Sequence, residues 1–330
     1  MKDPLISIVC TAYNHEKYIA DAIESFVMQE TEYEYEILIH DDASTDKTID
    51  IIREYASKYA DIIKPIYQTE NKYSKGIEIY STYIYPKARG KYIAICEGDD
   101  YWTDKLKLQL QVNYMENHPE CALCFHAAEW VNVNNGDKRS IRPYIQDQEC
   151  SVEDIILGRG AAYCVTNSML FPLKLDLEKP TFRIGIPTGD YPLRLQLASK
   201  GTIYYINREM SVYRIMVEGS WVTNNNKEIN NKDYRKATEF QEKVDKMMCL
   251  YDEYTNYKYS NSIHIKRIIS EASFLTTTKQ FQKLKDKKYK PYWNSLEYKE
   301  KTITIFKMNM PILYNLFSKL KSKFVNKKVL

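Results

Sequence analysis

The chain has 330 residues, 47 Lys and Arg against 44 Asp and Glu for a formal charge of +3, and a hydrophobic fraction of 44%. That is the apolar content of a globular protein, with length for one large domain plus an appendage or for two domains. No stretch is long enough to span a bilayer and no charged-then-apolar start reads as a signal peptide, so an intracellular protein is expected. The seven cysteines agree, being odd in number and irregularly spaced. Cys121 and Cys124 form a lone Cys-x-x-Cys inside an apolar run, without a second pair to complete a zinc site, and are expected to be packed core thiols. Charge is placed unevenly. Residues 281–330 carry 13 Lys and 3 acids, a net +10, which leaves about −7 on the remainder. A basic tail on an acidic body suits an anionic partner, such as a membrane surface or nucleic acid. Only ten glycines are present, with no Gly-x-x-x-x-Gly-Lys loop. Gly158-Arg-Gly160 lacks the third glycine of a dinucleotide fingerprint, so a glycine-rich phosphate cradle is excluded.

In chain order, Leu5 to Cys10 reads as a buried strand, and Asn14 is a candidate N-cap for a helix carrying Tyr18, Ile19, Ala22, Ile23, Phe26 and Val27. Tyr35 to His40 is a second strand, followed by Asp41-Asp42-Ala-Ser-Thr-Asp46 and a helix with Ile49, Ile52, Ala56 and Tyr59 on one face. Ile62 to Gln68 is a third strand, short or at an edge because of Pro65. Tyr92 to Cys96 is a fourth, and a helix covers about Lys105 to Asn117. Ala122 to Val133 is strand-like, with a hairpin turn at Asn135-Gly136. Ser151-x-x-Asp154 resembles a capping box, Cys164 to Phe171 reads as a strand, and Tyr191 to Ser199 as a helix. Thr202 to Ile206 and Ser211 to Ile215 are two further strand candidates. From about Asn224 an Asn- and Lys-rich stretch reads as a linker, and Tyr234 to Leu330 as helical and increasingly basic. Strand-helix alternation over the first part predicts an α/β domain with a mostly parallel sheet.

The fourth strand runs straight into Glu97, Asp99 and Asp100. In an open α/β sheet ligands bind at the carboxyl ends of the strands. Carboxylates crowded there repel one another unless a cation is present, and hard oxygen donors suit Mg2+ or Mn2+ completed by substrate phosphates.

Ile-Ser-Ile-Val-Cys-Thr-Ala-Tyr-Asn at 6–14, Asp41 to Asp46, Glu97-Gly-Asp-Asp100, Thr188-Gly-Asp190 and Ser211-Val-Tyr-Arg214 together resemble the inverting glycosyltransferases of family 2 with the GT-A fold. The resemblance covers roughly residues 4–222. It implies a GT-A domain over 1–222, with a nucleotide-binding half to about 117 and an acceptor half from 118, and then a linker and a helical, basic extension over 223–330. It further implies that Thr11, Ala12, Tyr13, Asn14, Asp41, Asp42 and Asp99 line a nucleoside diphosphate sugar of UDP or dTDP type. Asp99 and Asp100 would hold Mn2+ or Mg2+, and Asp190 would be the general base that takes the acceptor hydroxyl's proton. Glu97, Gly189, Arg214 and Trp221 are candidate substrate contacts. The family frequently has a His two residues after Tyr213-Arg214; here that position is Met216, a soft thioether unsuited to these ions.

Bacterial-type members commonly extend lipid-linked glycans at the cytoplasmic membrane face. The expected acceptor is therefore a hydroxyl of a glycan or lipid-linked glycan, with no nucleic acid partner. The mixture of Phe, Leu, Ile and Met with Lys from Ile303 to Val329 predicts peripheral attachment to anionic lipid at the inner face of the membrane. Two rival readings are a metal-dependent nucleotidyltransferase and a non-catalytic relative serving as a membrane-docked binding module. The first lacks its glycine-containing phosphate loop; the second has only Met216 in its favour.

Overall fold

The computed structural model describes residues 3–158, 163–186, 189–220, 223, 234–310 and 313. They fall into two compact units, 1–224 and 225–330.

The first unit is built on β1 (Ile6–Ala12), β2 (Tyr35–Asp41), β3 (Ile63–Tyr67) and β4 (Tyr92–Ile95), all parallel. Helices α1 (Ile19–Val27) and α2 (Thr48–Lys58) connect the first three strands. β1 and β4 are buried along almost their whole length, as strands covered on both faces must be. Pro65 lies in β3, which is the edge strand, where its missing N–H costs least. Further on come β5 (Tyr101–Trp102), α3 (Lys107–Asn117), β6 (Cys121–Asn132), β7 (Lys138–Ile141), β8 (Gln148–Cys150), α4 (Val152–Leu157), β9 (Leu170–Pro172), α5 (Asp190–Ala198) and β10 (Thr202–Ile215). The sheet order is β3-β2-β1-β4-β9-β6-β10-β5, with β7 beside β6 and β8 beside β10. β4–β9 and β9–β6 are antiparallel, while β6 and β10 run parallel. The order reverses at β1, which has β2 on one side and β4 on the other. That reversal is a topological switch point, where the connections leave in opposite directions and open a crevice at the strand ends.

Several expectations need correction. The two strands expected over 202–215 are one strand, carried through two shifts of register against β6 between Ile206 and Val212. The strand expected over 164–171 contains a single turn of 3-10 helix at Thr166–Ser168, and only Leu170–Pro172 pairs. Asn14 does not cap α1, which begins at Ile19 with Tyr18 at its N-cap. Instead Asn14 sits at φ 56° and its Oδ1 accepts the Thr45 amide at 2.8 Å, tying the β1–α1 loop to the β2–α2 loop.

Cys121 and Cys124 are buried thiols, and all seven cysteines are unpaired. Ser151 does accept the Asp154 amide, at 3.0 Å. Lys107 is fully buried on a helix face it shares with Gln111; its Nζ lies 4.0 Å from the Trp102 ring centre and donates to Gln111 at 2.7 Å. Burial brings this lysine down to about 7.

The second unit is helical. Arg235–Tyr254 and Ser260–Thr277 pack together and are joined by Arg267, whose guanidinium donates to both oxygens of Asp245 at 2.6 and 3.0 Å. Ala272, Leu275, Leu284, Tyr289 and Tyr292 form its core. The short helix Lys290–Ser295 and the helix Tyr298–Asn309, the latter opened by a Glu297/Glu300 capping box, follow. No helix among the described residues is long and apolar enough to cross a membrane.

Candidate active site

The switch point collects the β1–α1 loop, the β2–α2 loop and the turn after β4. Gly98 makes their approach possible: a Cβ there would come within 3.0 Å of His15 Nδ1 and of Ile19, and the Gly98 amide donates to the Thr11 carbonyl at 2.9 Å. The Asp42 amide bonds the Ala12 carbonyl at 2.9 Å, and the Asn14 amide bonds Ser44 Oγ at the same distance. Thr11 is half-buried and Tyr13 is 43% exposed at the mouth.

The carboxylates of Asp41 and Asp42, expected against the nucleoside, have hydrogen-bond donors within the protein. Asp41 is fully buried and accepts from the Ser44 amide at 3.0 Å and from its hydroxyl. Asp42 accepts the amides of Lys72 and Tyr73 at 2.8 and 3.0 Å. Asp41, through one amide and one hydroxyl, and Asp42, through two amides, each tie their own loop in place.

Beyond β4 the three acids separate by environment. Asp100 is 1% exposed; its oxygens accept from the Arg214 amide at 2.8 Å and from Asn167 Nδ2 at 3.0 Å. Asp100, expected beside Asp99 as a metal ligand, ties the turn to β10 with both oxygens. Asn167 completes this anchor: it bonds the Val212 carbonyl, accepts from Ser211 Oγ at 2.7 Å, and its carbonyl receives the Trp102 indole N–H at 2.9 Å. Arg214, a candidate substrate contact, is also committed. It donates to the Asp99 carbonyl at 3.0 Å and pairs with Asp21, with Tyr101 and Tyr18 centroids 4.4 and 5.1 Å from its guanidinium.

Glu97 and Asp99 remain half-buried and without a hydrogen-bonded side-chain partner among the described residues. Burial, then Asp99, then Asp190 push Glu97 up to about 8. The acid from α5 thus acts electrostatically on Glu97. Asp190 is the first residue of its helix, 30% exposed, and is held at 2.9 Å by the buried Arg194. No side chain at Gly189 would be obstructed, so the floor beside Asp190 is open.

Two tyrosines had no role assigned from the sequence, although Tyr213 stands in the Ser211-Val-Tyr-Arg214 stretch. Tyr213 is raised by burial and then by Asp100, Glu97, Asp99 and Asp190, which places its phenol amid all four acids. Tyr80, from the irregular segment before β4, is raised by burial and by Glu97. Asn167 carried one legible signal, a polar Thr166-Asn167-Ser168 stretch between apolar neighbours. Met216 stands at φ 64° just past β10 and directs the chain away. Trp221 and Thr188 lie outside the described residues.

Among the described residues no three His, Cys, Asp or Glu side chains form a metal cage. The donors that are available, Asp99 and Glu97, are hard oxygens with mutual repulsion to relieve. They fit an ion held by one or two carboxylates and completed by phosphate oxygens.

The model of the family described as Glycosyl transferase family 2 matches residues 7–176. An uncharacterized protein of Mycobacterium tuberculosis is 37% identical over 219 residues, 66% of this chain and 60% of that protein, so the chain spans under two thirds of this relative's length. The putative teichuronic acid biosynthesis glycosyltransferase TuaG of Bacillus subtilis is 29% identical over 64% of this chain and 80% of its own. Staphylococcus aureus TarS in complex with UDP matches 90% of this chain and 76% of its own with TM-score 0.54 at 16% identity. The mannosyltransferase PcManGT of Pyrobaculum calidifontis, in complex with GDP-Man and Mn2+, matches 100% of this chain and 87% of its own with TM-score 0.56 at 13% identity. The fold is therefore the GT-A fold, a mostly parallel α/β sheet with a small antiparallel part. On the span of the family match, this chain belongs to glycosyl transferase family 2.

Proposed function

We propose that the chain transfers a sugar from a nucleoside diphosphate donor of UDP or dTDP type to a hydroxyl of a glycan or lipid-linked acceptor, with inversion at the sugar carbon. The observation that carries this reading is the meeting of Glu97, Asp99 and Asp190 in one crevice at the switch point, where burial and mutual repulsion hold Glu97 up to about 8. Such an arrangement is unfavourable by itself and becomes favourable when positive charge enters. The loops at Thr11, Ala12, Tyr13 and Asn14 wall the nucleoside, and Asp41 and Asp42 act by folding those walls. Asp99, with Glu97 beside it, is the ligand for Mn2+ or Mg2+. When bound, the ion acts as a Lewis acid on the diphosphate leaving group. Asp190 takes the proton of the attacking hydroxyl; its pair with Arg194 holds the side chain in place. Asp100, Asn167 and Arg214 hold the acidic turn in place. The UDP complex of TarS, the Mn2+ complex of PcManGT and the glycosyltransferase naming of TuaG support this reading.

The basic C-terminal region attaches the enzyme peripherally to an anionic membrane surface, where a lipid-linked acceptor would lie. Calorimetric titration of UDP, dTDP and GDP, with Mn2+ and then with chelator, tests the site. Metal-dependent binding of one diphosphate, abolished in Asp99→Ala, is expected. Binding indifferent to the metal, or none, would overturn the metal-assisted reading.

A further inference from the structure

The second unit carries a groove of about 470 Å³ between the segment 284–293 and the helix Tyr298–Asn309. Its floor is apolar: Leu284, Trp293, Ile305 and Met308. The Trp293 indole N–H donates to the Leu284 carbonyl at 3.0 Å, which fixes the ring, and Gln282 bonds the Met308 carbonyl at 3.0 Å, which fixes the helix against the segment. Its rim is cationic. Lys285, Lys287 and Lys290 stand on one wall and Lys301 on the other, against the single acid Asp286, whose Oδ1 is engaged with the Lys288 amide at 2.9 Å. None of these four lysines has an acidic partner among the described residues, in contrast to Lys288, which is paired with Glu271. Further apolar side chains of this region are exposed, with Ile303 38%, Met310 49% and Leu313 45% accessible.

We propose that this groove is a docking site for a phosphate-headed membrane lipid, with the phosphate among the four lysines and the adjoining apolar part on the Trp293–Ile305–Met308 floor. Charge complementarity selects the occupant. A free phosphate would satisfy the rim and leave the floor wet, and a neutral lipid would cover the floor and leave four ammonium groups unmatched. Only an anionic amphiphile matches both surfaces. Lys301, Ile305 and Met308 share a helix face by their spacing of four and three, so head and tail contacts are set by one rigid element. The proposal rests on the membrane attachment read from the basic C-terminal region and is independent of the transfer chemistry.

The test uses the full chain in flotation with phosphatidylcholine vesicles and with vesicles containing about 30% phosphatidylglycerol. The triple variant Lys287→Gln, Lys290→Gln, Lys301→Gln is compared with Lys243→Gln, Lys246→Gln, Lys258→Gln, which removes equal charge from exposed positions elsewhere in the same unit. The groove variant is expected to lose about tenfold in partitioning to anionic vesicles, the control at most about twofold. Ile305→Asp, at a site already 39% exposed, is expected to lose about fivefold with all lysines intact. Equal losses in the two triple variants would overturn the groove and leave general electrostatic attachment standing. Wild-type chain that floats no better with anionic than with neutral vesicles would overturn both. Inorganic phosphate that protects the groove lysines from acetylation, where anionic vesicles do not, would assign the groove to a soluble anion and overturn the lipid.

Discussion

The ends of β2 and β4 flank β1 on opposite sides, and each carries an Asp-Asp pair, yet the two pairs live under different electrostatics. At the β2 end every acid is answered. Asp41 is bonded by Ser44 and Asp42 by the Lys72 and Tyr73 amides. At the β4 end only Asp100 is answered, by the Arg214 amide and Asn167, while Glu97 and Asp99 are left to repel each other and Asp190. Hydrogen bonds from N–H groups stabilise a carboxylate where it stands; uncompensated neighbours make it a receptor for positive charge. The same dipeptide is thus fully bonded on one side of β1 and only half bonded on the other.

The largest effect should come from across the crevice. Asp190→Asn keeps the shape and removes the base, so sugar transfer should fall by about a thousandfold while UDP affinity changes by less than about threefold. Transfer near the wild-type rate in a single-turnover assay would move the base elsewhere. Next, Asp99→Asn should weaken metal-dependent UDP binding by about thirtyfold in calorimetry and leave metal-free binding as it was. If Asp42→Asn gave the same metal-dependent loss, the two strand ends would be equivalent and the comparison would break.

Much of this was legible in the sequence because strand-helix alternation and acids at strand ends follow from local pattern. β1 to β4 and the edge position of Pro65 came from burial runs and a missing donor. The joining of 202–215 into one strand was not legible, since a shift of register reads locally as a break. The difference between Asp42 and Asp99 was hidden for another reason: it depends on who donates to each oxygen, and the Asp42 donors, Lys72 and Tyr73, lie 30 and 31 residues away. Asn167 and the buried Lys107 show the same limit. Each is defined by tertiary neighbours that no spacing announces.

Asp42→Asn should act on stability instead of chemistry. An amide can accept from Lys72 or Tyr73 but presents N–H to the other, so a buried donor is left unmatched at a cost of about 1–3 kcal/mol. Thermal unfolding should show that loss, with UDP affinity per folded molecule within about twofold.

The smallest effect is also the most diagnostic, because its sign differs from that of Asp42→Asn. In the unfolded chain Glu97 ionises near its ordinary 4.5, whereas in the folded chain it is raised to about 8. Between those values the folded state keeps a proton that the unfolded state has released. Stability therefore falls as pH rises through that window, and the loss is complete above about pH 8. Glu97→Gln cannot ionise and escapes it. In the presence of chelator the variant should match wild type near pH 5 and exceed it near pH 8.5 by on the order of 1–2 kcal/mol, the figure being held down because Glu97 retains some contact with solvent. Adding Mn2+ and UDP should reverse the order at the higher pH, because wild type then has a cation for its carboxylate and the variant does not. Parallel unfolding curves with and without the ion would mean that Glu97 is as well satisfied as Asp42, and the β4 end would lose its distinction as the place where charge is wanted.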